Sequence, residues 1–280
     1  MFNNSINKIK VFLYGVIPYI ITKILEPSSD KLEYYKFFIR HGYTRYPYAF
    51  AKEYLNKPIQ ILYDQEKQLP YVIHKESKKL YFPREYSMEK IEKNYKALSI
   101  EQDRRHPHHY INSAKELSGK TLLDIGAAEG FTSLDTIEHT RFVYLFEYED
   151  KWIEALKATF EPWKEKVQII KKFIGNQNSD LYGTIDQLVP KEAFNNAFLK
   201  MDIEGNECNA LAGCIRLFTD SANLNFAICT YHKKEDEQNI SKFLDQFGCH
   251  YSFSDGYIFV KHSFRKCIIK GSKRFESIKS

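Results

Sequence analysis

Three short stretches, each closing an apolar run, hold the residues that could do chemistry. The first is Leu122-Leu-Asp-Ile-Gly-Ala-Ala-Glu-Gly130, where Gly126 and Gly130 let the backbone approach a ligand and a following helix offers free amides at its start. Asp124 stands before the first glycine and Glu129 inside the loop. A dinucleotide site prefers G-x-G-x-x-G; the G-x-x-x-G spacing with loop acids is poor company for a pyrophosphate and suits a ligand bearing an ammonium and a sulfonium. The second stretch is Leu145-Phe-Glu-Tyr148, with Glu147 twenty-one residues after Gly126. A carboxylate at the end of a second strand can accept both hydroxyls of a ribose. The third is Lys200-Met-Asp-Ile-Glu204, paired with Thr230-Tyr-His232.

An alcohol is too weak an acid to attack a methyl sulfonium unaided, so transfer to oxygen benefits from a positioned base or a metal. His232 is placed to be that base, Asp202 to orient it or receive the proton, and Glu204 stands beside them. Asp202, Glu204 and His232 could alternatively hold Mg²⁺ or Mn²⁺; this divalent-metal reading is the less favoured one. Lys200 reads as a structural partner of Asp202 or Glu204. Glycine turn, loop acids and Glu147 together fit S-adenosylmethionine better than NAD or ATP, with Asp124, Gly126, Ala127, Ala128, Glu129, Gly130, Phe131, Glu147, Tyr148 and Asp202 as the cofactor-binding set.

The elements that must position these groups follow a strand–helix rhythm from Lys120 onward. Strands are expected at 120–125, 141–146, 167–173, 197–201 and 224–230. Trp152, Leu156, Phe160 and Trp163 line one helix, Leu211, Ile215 and Phe218 a second, and Ile240, Phe243, Leu244 and Phe247 a third. His250–Phe253 and Tyr257–Val260 flank Ser254-Asp255-Gly256, a hairpin signal. The prediction is an α/β, Rossmann-like doubly wound, mostly parallel seven-stranded sheet with an antiparallel C-terminal hairpin, binding its ligand at the carboxyl ends of the strands. Residues 1–118 read as an N-terminal α+β extension, 119–262 as the cofactor-binding domain and 263–280 as a basic tail. The extension has helical patterns over 31–55 and 87–98 and short strands at 59–63, 71–74 and 79–82. It ends in Asp103-Arg-Arg-His-Pro-His-His-Tyr110, beside the cofactor mouth if the connection is short, so Arg105, His108, His109 and Tyr110 join His232 as substrate-binding candidates.

Of the 280 residues, 43% are hydrophobic and 28% charged, with only 12 Gly and 9 Pro, which excludes a collagen, a disordered acidic tail or a low-complexity scaffold. The net charge of +5 sits at the ends: residues 261–280 carry seven Lys or Arg against one acid, and 1–25 add Lys8, Lys10 and Lys23, leaving the middle at about −4. A nucleic-acid groove would need a basic stripe across the fold, so no nucleic-acid partner is expected. Five cysteines without CxxC spacing or a cleavable signal peptide fit a reducing cytoplasm. The run Val11–Leu25 has 15 residues, short of the roughly 20 that span a bilayer. It reads either as a helix packed within the extension or as an interfacial anchor at the inner face of the membrane.

Residues from about Pro107 to Val260 resemble the FkbM family of class I S-adenosylmethionine-dependent methyltransferases. The matching text is Asp124-Ile-Gly-Ala-Ala-Glu-Gly130, Phe146-Glu147, Thr184-Ile-Asp186-Gln-Leu188, and Lys200-Met-Asp-Ile-Glu-Gly-Asn-Glu207 followed by Ala210-Leu-Ala-Gly213. The resemblance implies methylation of a hydroxyl, often on a sugar or polyketide-like natural product, and for some members a setting in surface polysaccharide synthesis. It adds Phe173 and Ile174 as neighbours of adenine. Two alternatives stand beside it: a cofactor-binding protein without catalysis in a glycan assembly complex, and a metal-dependent glycosyltransferase, which leaves the loop acids and Glu147 unexplained. By its position the extension is the expected source of the acceptor pocket and of any oligomer contact.

Overall fold

Strands with no polar face must be covered on both sides. The computed structural model, which describes residues 2–75 and 77–274, shows how. The chain begins with α1 (Phe2–Val11), a π-helical segment (Phe12–Val16) and α2 (Ile17–Leu25), then α3 (Lys31–His41) and α4 (Ala51–Leu55). A small antiparallel sheet follows, β1 (Ile61–Asp64), β2 (Leu69–His74) and β3 (Lys78–Tyr81), and then α5 (Met88–Glu101), which Ser87 caps by accepting from the Lys90 amide. The alternating half runs β4 (Thr121–Ile125), α6 (Phe131–Thr136), β5 (Phe142–Phe146), α7 (Asp150–Phe160), β6 (Val167–Ile170), the short pair β7 (Phe173–Ile174) and β8 (Tyr182–Gly183), and α8 (Ile185–Leu188). It continues through β9 (Asn196–Met201), α9 (Glu207–Ala212), α10 (Ile215–Asp220), β10 (Asn223–Cys229), α11 (Asp236–Gln246), β11 (His250–Phe253), β12 (Ile258–Val260), β13 (Ser263–Arg265) and β14 (Ile268–Arg274).

Seven strands make one sheet in the order β11-β14-β10-β9-β4-β5-β6, and only β14 runs antiparallel to its neighbours. Successive side chains feed opposite cores. Leu122, Val143, Leu145, Phe198 and Ala227 pack with α6 and α7, whereas Leu123, Tyr144, Phe146, Leu199, Phe226 and Ile228 pack with α9, α10 and α11. The small sheet shares the first of these cores through Leu69, Val72 and Leu80, and buried His74 reaches Asp135 of α6 at 2.7 Å. The change of rhythm near residue 118 is therefore not a break in packing.

Four expectations need correction. Ile268–Arg274, expected within a basic tail, forms β14 between β10 and β11, because adjacent Ile268 and Ile269 are both fully buried, one in the core on each face of the sheet; residues 275–280 lie outside the described ones. The Asp255-Gly256 hairpin does not form: β11 pairs with β14, and β12 pairs with β13 around Lys261 and His262, both at positive φ (47° and 66°). The helix expected through Leu211, Ile215 and Phe218 is two helices, since the Asp186 carboxylate accepts from the amides of Arg216 (2.8 Å) and Leu217 (3.1 Å) and starts a new one, leaving Ile215 41% exposed. The strand expected over 167–173 stops at Ile170, and Phe173 instead joins the short β7 pairing.

The N-terminal helices are held by rings. Tyr35 and Phe38 of α3 pack with Phe259 and Phe264 of the β12–β13 hairpin, the Phe38 and Phe259 rings meeting edge to face at 5.1 Å. Tyr14 stacks on His262 at the hairpin tip, 4.8 Å between centroids and 8° between planes.

Candidate active site

The end of β4 turns with positive φ at Gly126 (79°), Ala128 (44°) and Gly130 (73°). A Cβ on Gly126 would lie 1.9 Å from the Asp202 carbonyl oxygen, so only glycine lets this turn press on the end of β9. The amides of Gly126 and Ala127 donate to the Phe146 carbonyl (3.0 and 3.1 Å), which ties the turn to β5. Gly130 faces α7, where a Cβ would lie 2.6 Å from the Phe160 ring, so this position also needs glycine for close packing.

At the end of β5, three main-chain amides orient the Glu147 carboxylate: Ala128 donates to Oε2 (3.0 Å), Tyr148 and Glu149 to Oε1 (2.6 and 2.9 Å). Oε2 keeps a lone pair for a further donor. Across from it Phe173 stacks on Tyr148 with centroids 3.7 Å apart. These residues line a cleft of about 730 Å³ at the carboxyl ends of β4, β5 and β9, with Gly126, Ala128, Glu129, Ile174 and Asp202 on its wall. A smaller chamber of about 90 Å³ shares Gly126, Glu129 and Asp202 with the cleft and is lined by Asp124, Ala127, Phe131, His108 and Tyr110.

The two loop acids differ. Asp124 is 1% exposed, accepts from Ser133 Oγ (2.6 Å) and lies 2.9 Å from Lys200 Nζ, which also donates to the Gly126 carbonyl (2.6 Å). The register of β4 against β9 puts Asp124 directly beside Lys200, so Lys200 pairs with Asp124 and not with Asp202 or Glu204. Asp124's charge is thereby balanced inside the protein, while the residue also lines the small chamber. Removing either partner would strand a buried charge at a cost of about 3–5 kcal/mol. Burial depresses the Lys200 ammonium, but Asp124 and Asp202 outweigh it and raise its pKa. Glu129 is buried, which pushes its carboxyl up, and its Oε1 accepts from Asn94 Nδ2 of α5 at 2.7 Å.

At the other end of the cleft, Asp202 is the hub. Its Oδ2 accepts from Tyr110 OH (2.7 Å) and lies 3.4 Å from His108 Nε2; its Oδ1 lies 3.4 Å from His232 Nε2. Burial pushes the Asp202 carboxyl up, but His108, Lys200 and His232 outweigh it and hold the group well below the usual carboxylate range. His108 Nε2 also meets Tyr231 OH at 3.0 Å. His232 follows β10, its carbonyl accepting from Lys261 Nζ at 2.7 Å. Its Nδ1 lies 2.9 Å from Glu207 Oε1, short of hydrogen-bond alignment, and Glu207 is fully buried at the start of α9 with Oε1 also accepting from the Ile203 amide (3.0 Å). Burial lowers the His232 pKa, but Glu207, Asp202 and Glu204 outweigh that and raise it above the ordinary 6.5.

Glu207, then, is the acid that flanks His232 most closely, and Glu204, expected in the catalytic set, is 91% exposed with Oε2 3.5 Å from His232 Nε2. Arg105 lies outside the cleft, tied on the surface to Asp103 and Glu53 (2.7 and 2.8 Å). His109 is likewise engaged locally with His106 O (2.6 Å) and Asn112 Oδ1 (2.9 Å). Both are corrections to the substrate-binding set: of the turns at 103–110, Arg104 and Arg105 stay exposed, and His108 and Tyr110 are buried and line the small chamber. Sequence reasoning missed Arg45, Asn94 and Glu101, which line the cleft from the N-terminal part. It had the signal for Glu207 in the last acid of K-x-D-I-E-G-x-E. Donor atoms of Asp202, Glu207 and His232, and of His108, Asp202 and Cys229, lie within 4.8 Å of one another, so either trio could take a metal ion.

No protein-family model matches the chain, and no curated protein matches it. Among solved structures it is similar to methyltransferase FkbM from Methylobacillus flagellatus KT, at 15% identity and a TM-score of 0.46 over 66% of this chain and 55% of that one. It is also similar to a putative RNA methyltransferase from Pyrococcus horikoshii (15% identity, TM-score 0.38, 57% of this chain and 77% of that one). A third is the magnesium protoporphyrin IX methyltransferase of Synechocystis PCC 6803 with bound SAM (16% identity, TM-score 0.40, 56% and 71%). The chain spans just over half the length of the first of these.

Proposed function

We propose that the chain is an S-adenosylmethionine-dependent methyltransferase that methylates a hydroxyl, on a sugar, glycan or related natural product. The observation that carries this reading is the cleft itself. It has a glycine turn pressed on the end of β9, an amide-oriented carboxylate at the end of β5, and Asp202 and Glu204 on its far wall, with the buried His232 3.4 Å from Asp202. Glu147 would accept the ribose hydroxyls, Tyr148, Phe173 and Ile174 would border the adenine, and the small chamber by Glu129 and Asp202 would take the methionine end. Arg45, Asn94 and Glu101 make the N-terminal wall polar, which suits a polyhydroxylated acceptor.

Bound there, S-adenosylmethionine would supply a methyl group on a sulfonium, with sulfur keeping the bonding electron pair as the new carbon–oxygen bond forms. His232 Nε2 would take the hydroxyl proton. Glu207 beside Nδ1 and Asp202 beside Nε2 would steady the imidazolium that results. Asp202 in turn would be fixed by Tyr110 and His108. A second reading is favoured by one observation: Asp202 Oδ1, Glu207 Oε2 and His232 Nε2 are buried without hydrogen-bond partners among the described residues, as ligands of a divalent cation would be. Chelation would abolish turnover in that case and leave it intact with His232 as the base.

The test is calorimetric titration with S-adenosylmethionine, S-adenosylhomocysteine and NAD. The first two should bind and NAD should not, with affinity falling at least about tenfold, 1.4 kcal/mol, in Glu147→Ala. Failure of both to bind would overturn the cofactor assignment.

A further inference from the structure

Nine of the eighteen large apolar side chains exposed among the described residues lie on one element, the continuous helix of residues 2–25. Ile6, Ile9, Leu13, Ile17, Ile20 and Ile24 recur at intervals of three and four, which keeps them on one face, and they are 37–73% exposed. The opposite face is spent on the protein. Gly15 is buried against α3, where a Cβ would lie 3.2 Å from Phe38 Cβ, and Tyr14 and Tyr19 join the aromatic cluster. Packing within the extension therefore accounts for one side of the helix only. An apolar stripe of this length is far more than a soluble surface ordinarily leaves open.

Charge identifies what would cover it. The first 25 residues contain Lys8, Lys10 and Lys23 and no Asp or Glu. Following α2 in the chain, Lys31 shares a depression of about 440 Å³ with Lys233, Lys234, Arg265 and Lys266, against one acid, Glu237. An apolar stripe flanked by cations is what an anionic bilayer surface takes up, the side chains entering the acyl boundary and the lysines meeting headgroup phosphates. No helix of the described residues is long and apolar enough to cross a membrane, so the element would lie in the interface plane. We infer that residues 2–25 dock the protein on an anionic membrane surface. The docked helix is joined to the site through its other face: Tyr14 stacks on His262, and the same hairpin's Lys261 and Arg265 donate to the carbonyls of His232 (2.7 Å) and Tyr231 (2.9 Å).

The experiment is co-sedimentation of the full chain with vesicles of phosphatidylcholine alone and with about one third phosphatidylglycerol added. Binding to the anionic vesicles, weakened by high salt, is expected. Ile17→Glu with Ile20→Glu and Ile24→Glu should lower the bound fraction about tenfold while circular dichroism stays unchanged. Lys8→Glu with Lys10→Glu and Lys23→Glu should remove the preference for phosphatidylglycerol. The proposal is overturned if the wild-type chain stays in the supernatant, if the triple isoleucine variant sediments equally well, or if light scattering shows a dimer which that variant dissolves, since a second copy would then be the cover. None of these outcomes touches cofactor binding.

Discussion

The two ends of the cleft are built differently. At the Glu147 end the backbone does the positioning: two carbonyl-bound amides tie the turn to β5, and three more hold one carboxylate. At the His232 end the positioning is done by side chains from far-apart segments, Tyr110 reaching Asp202 across 92 residues and His108 reaching Tyr231 across 123. An end fixed by main chain tolerates change in its neighbours, because its hydrogen bonds do not depend on their identity. An end fixed by side chains transmits any single loss to the others.

The largest expected effect falls on the side-chain end. His232→Ala should lower turnover about 10²–10⁴-fold while S-adenosylmethionine affinity, measured by titration, stays within about twofold. Equal loss of both would mean that the two ends are one unit and would break the contrast. A smaller effect is the pH dependence. The base must be neutral, and its carboxylate neighbours hold its pKa above 6.5, so turnover should climb with pH through a midpoint above that value. In Glu207→Gln, which removes one of those carboxylates, the midpoint should move down; an unmoved midpoint in pH–rate profiles would assign the titration to another group. The smallest is Tyr110→Phe, which leaves Asp202 Oδ2 without its 2.7 Å donor. Turnover should fall about tenfold to a hundredfold, on the scale of a lost bond to a charged group, with cofactor binding unchanged.

The same contrast decides what could be read from the sequence. The five parallel strands, the glycine turn and Glu147 were legible because each depends on local text: apolar runs, a spacing, an acid at a strand end. Lys200's partner was not, since it depends on register, and the register of β4 against β9 appears nowhere in the order of residues. Asn94 and Arg45 were invisible for a further reason. They belong to a segment whose own pattern speaks only of helix and strand, and their place on the cleft wall comes from how α5 and the chain before it fold over the sheet. The basic tail was misread because lysines and arginines were counted as a charge run, while the Ile268, Ile269 pair among them carries the strand.

The position of β14 sets an order of events during synthesis. It is the last described strand in the chain, yet it lies inside the sheet, as the one partner of β11 among the described strands and the outer partner of β10. Until residues 268–274 have emerged, β11 has nothing to pair with among the described strands and β10 has one open flank, whereas β4, β5, β6 and β9 all come earlier in the chain. The sheet can close only once Arg274 is free to pair, so the Glu147 end has all its strands in the chain before the His232 end does.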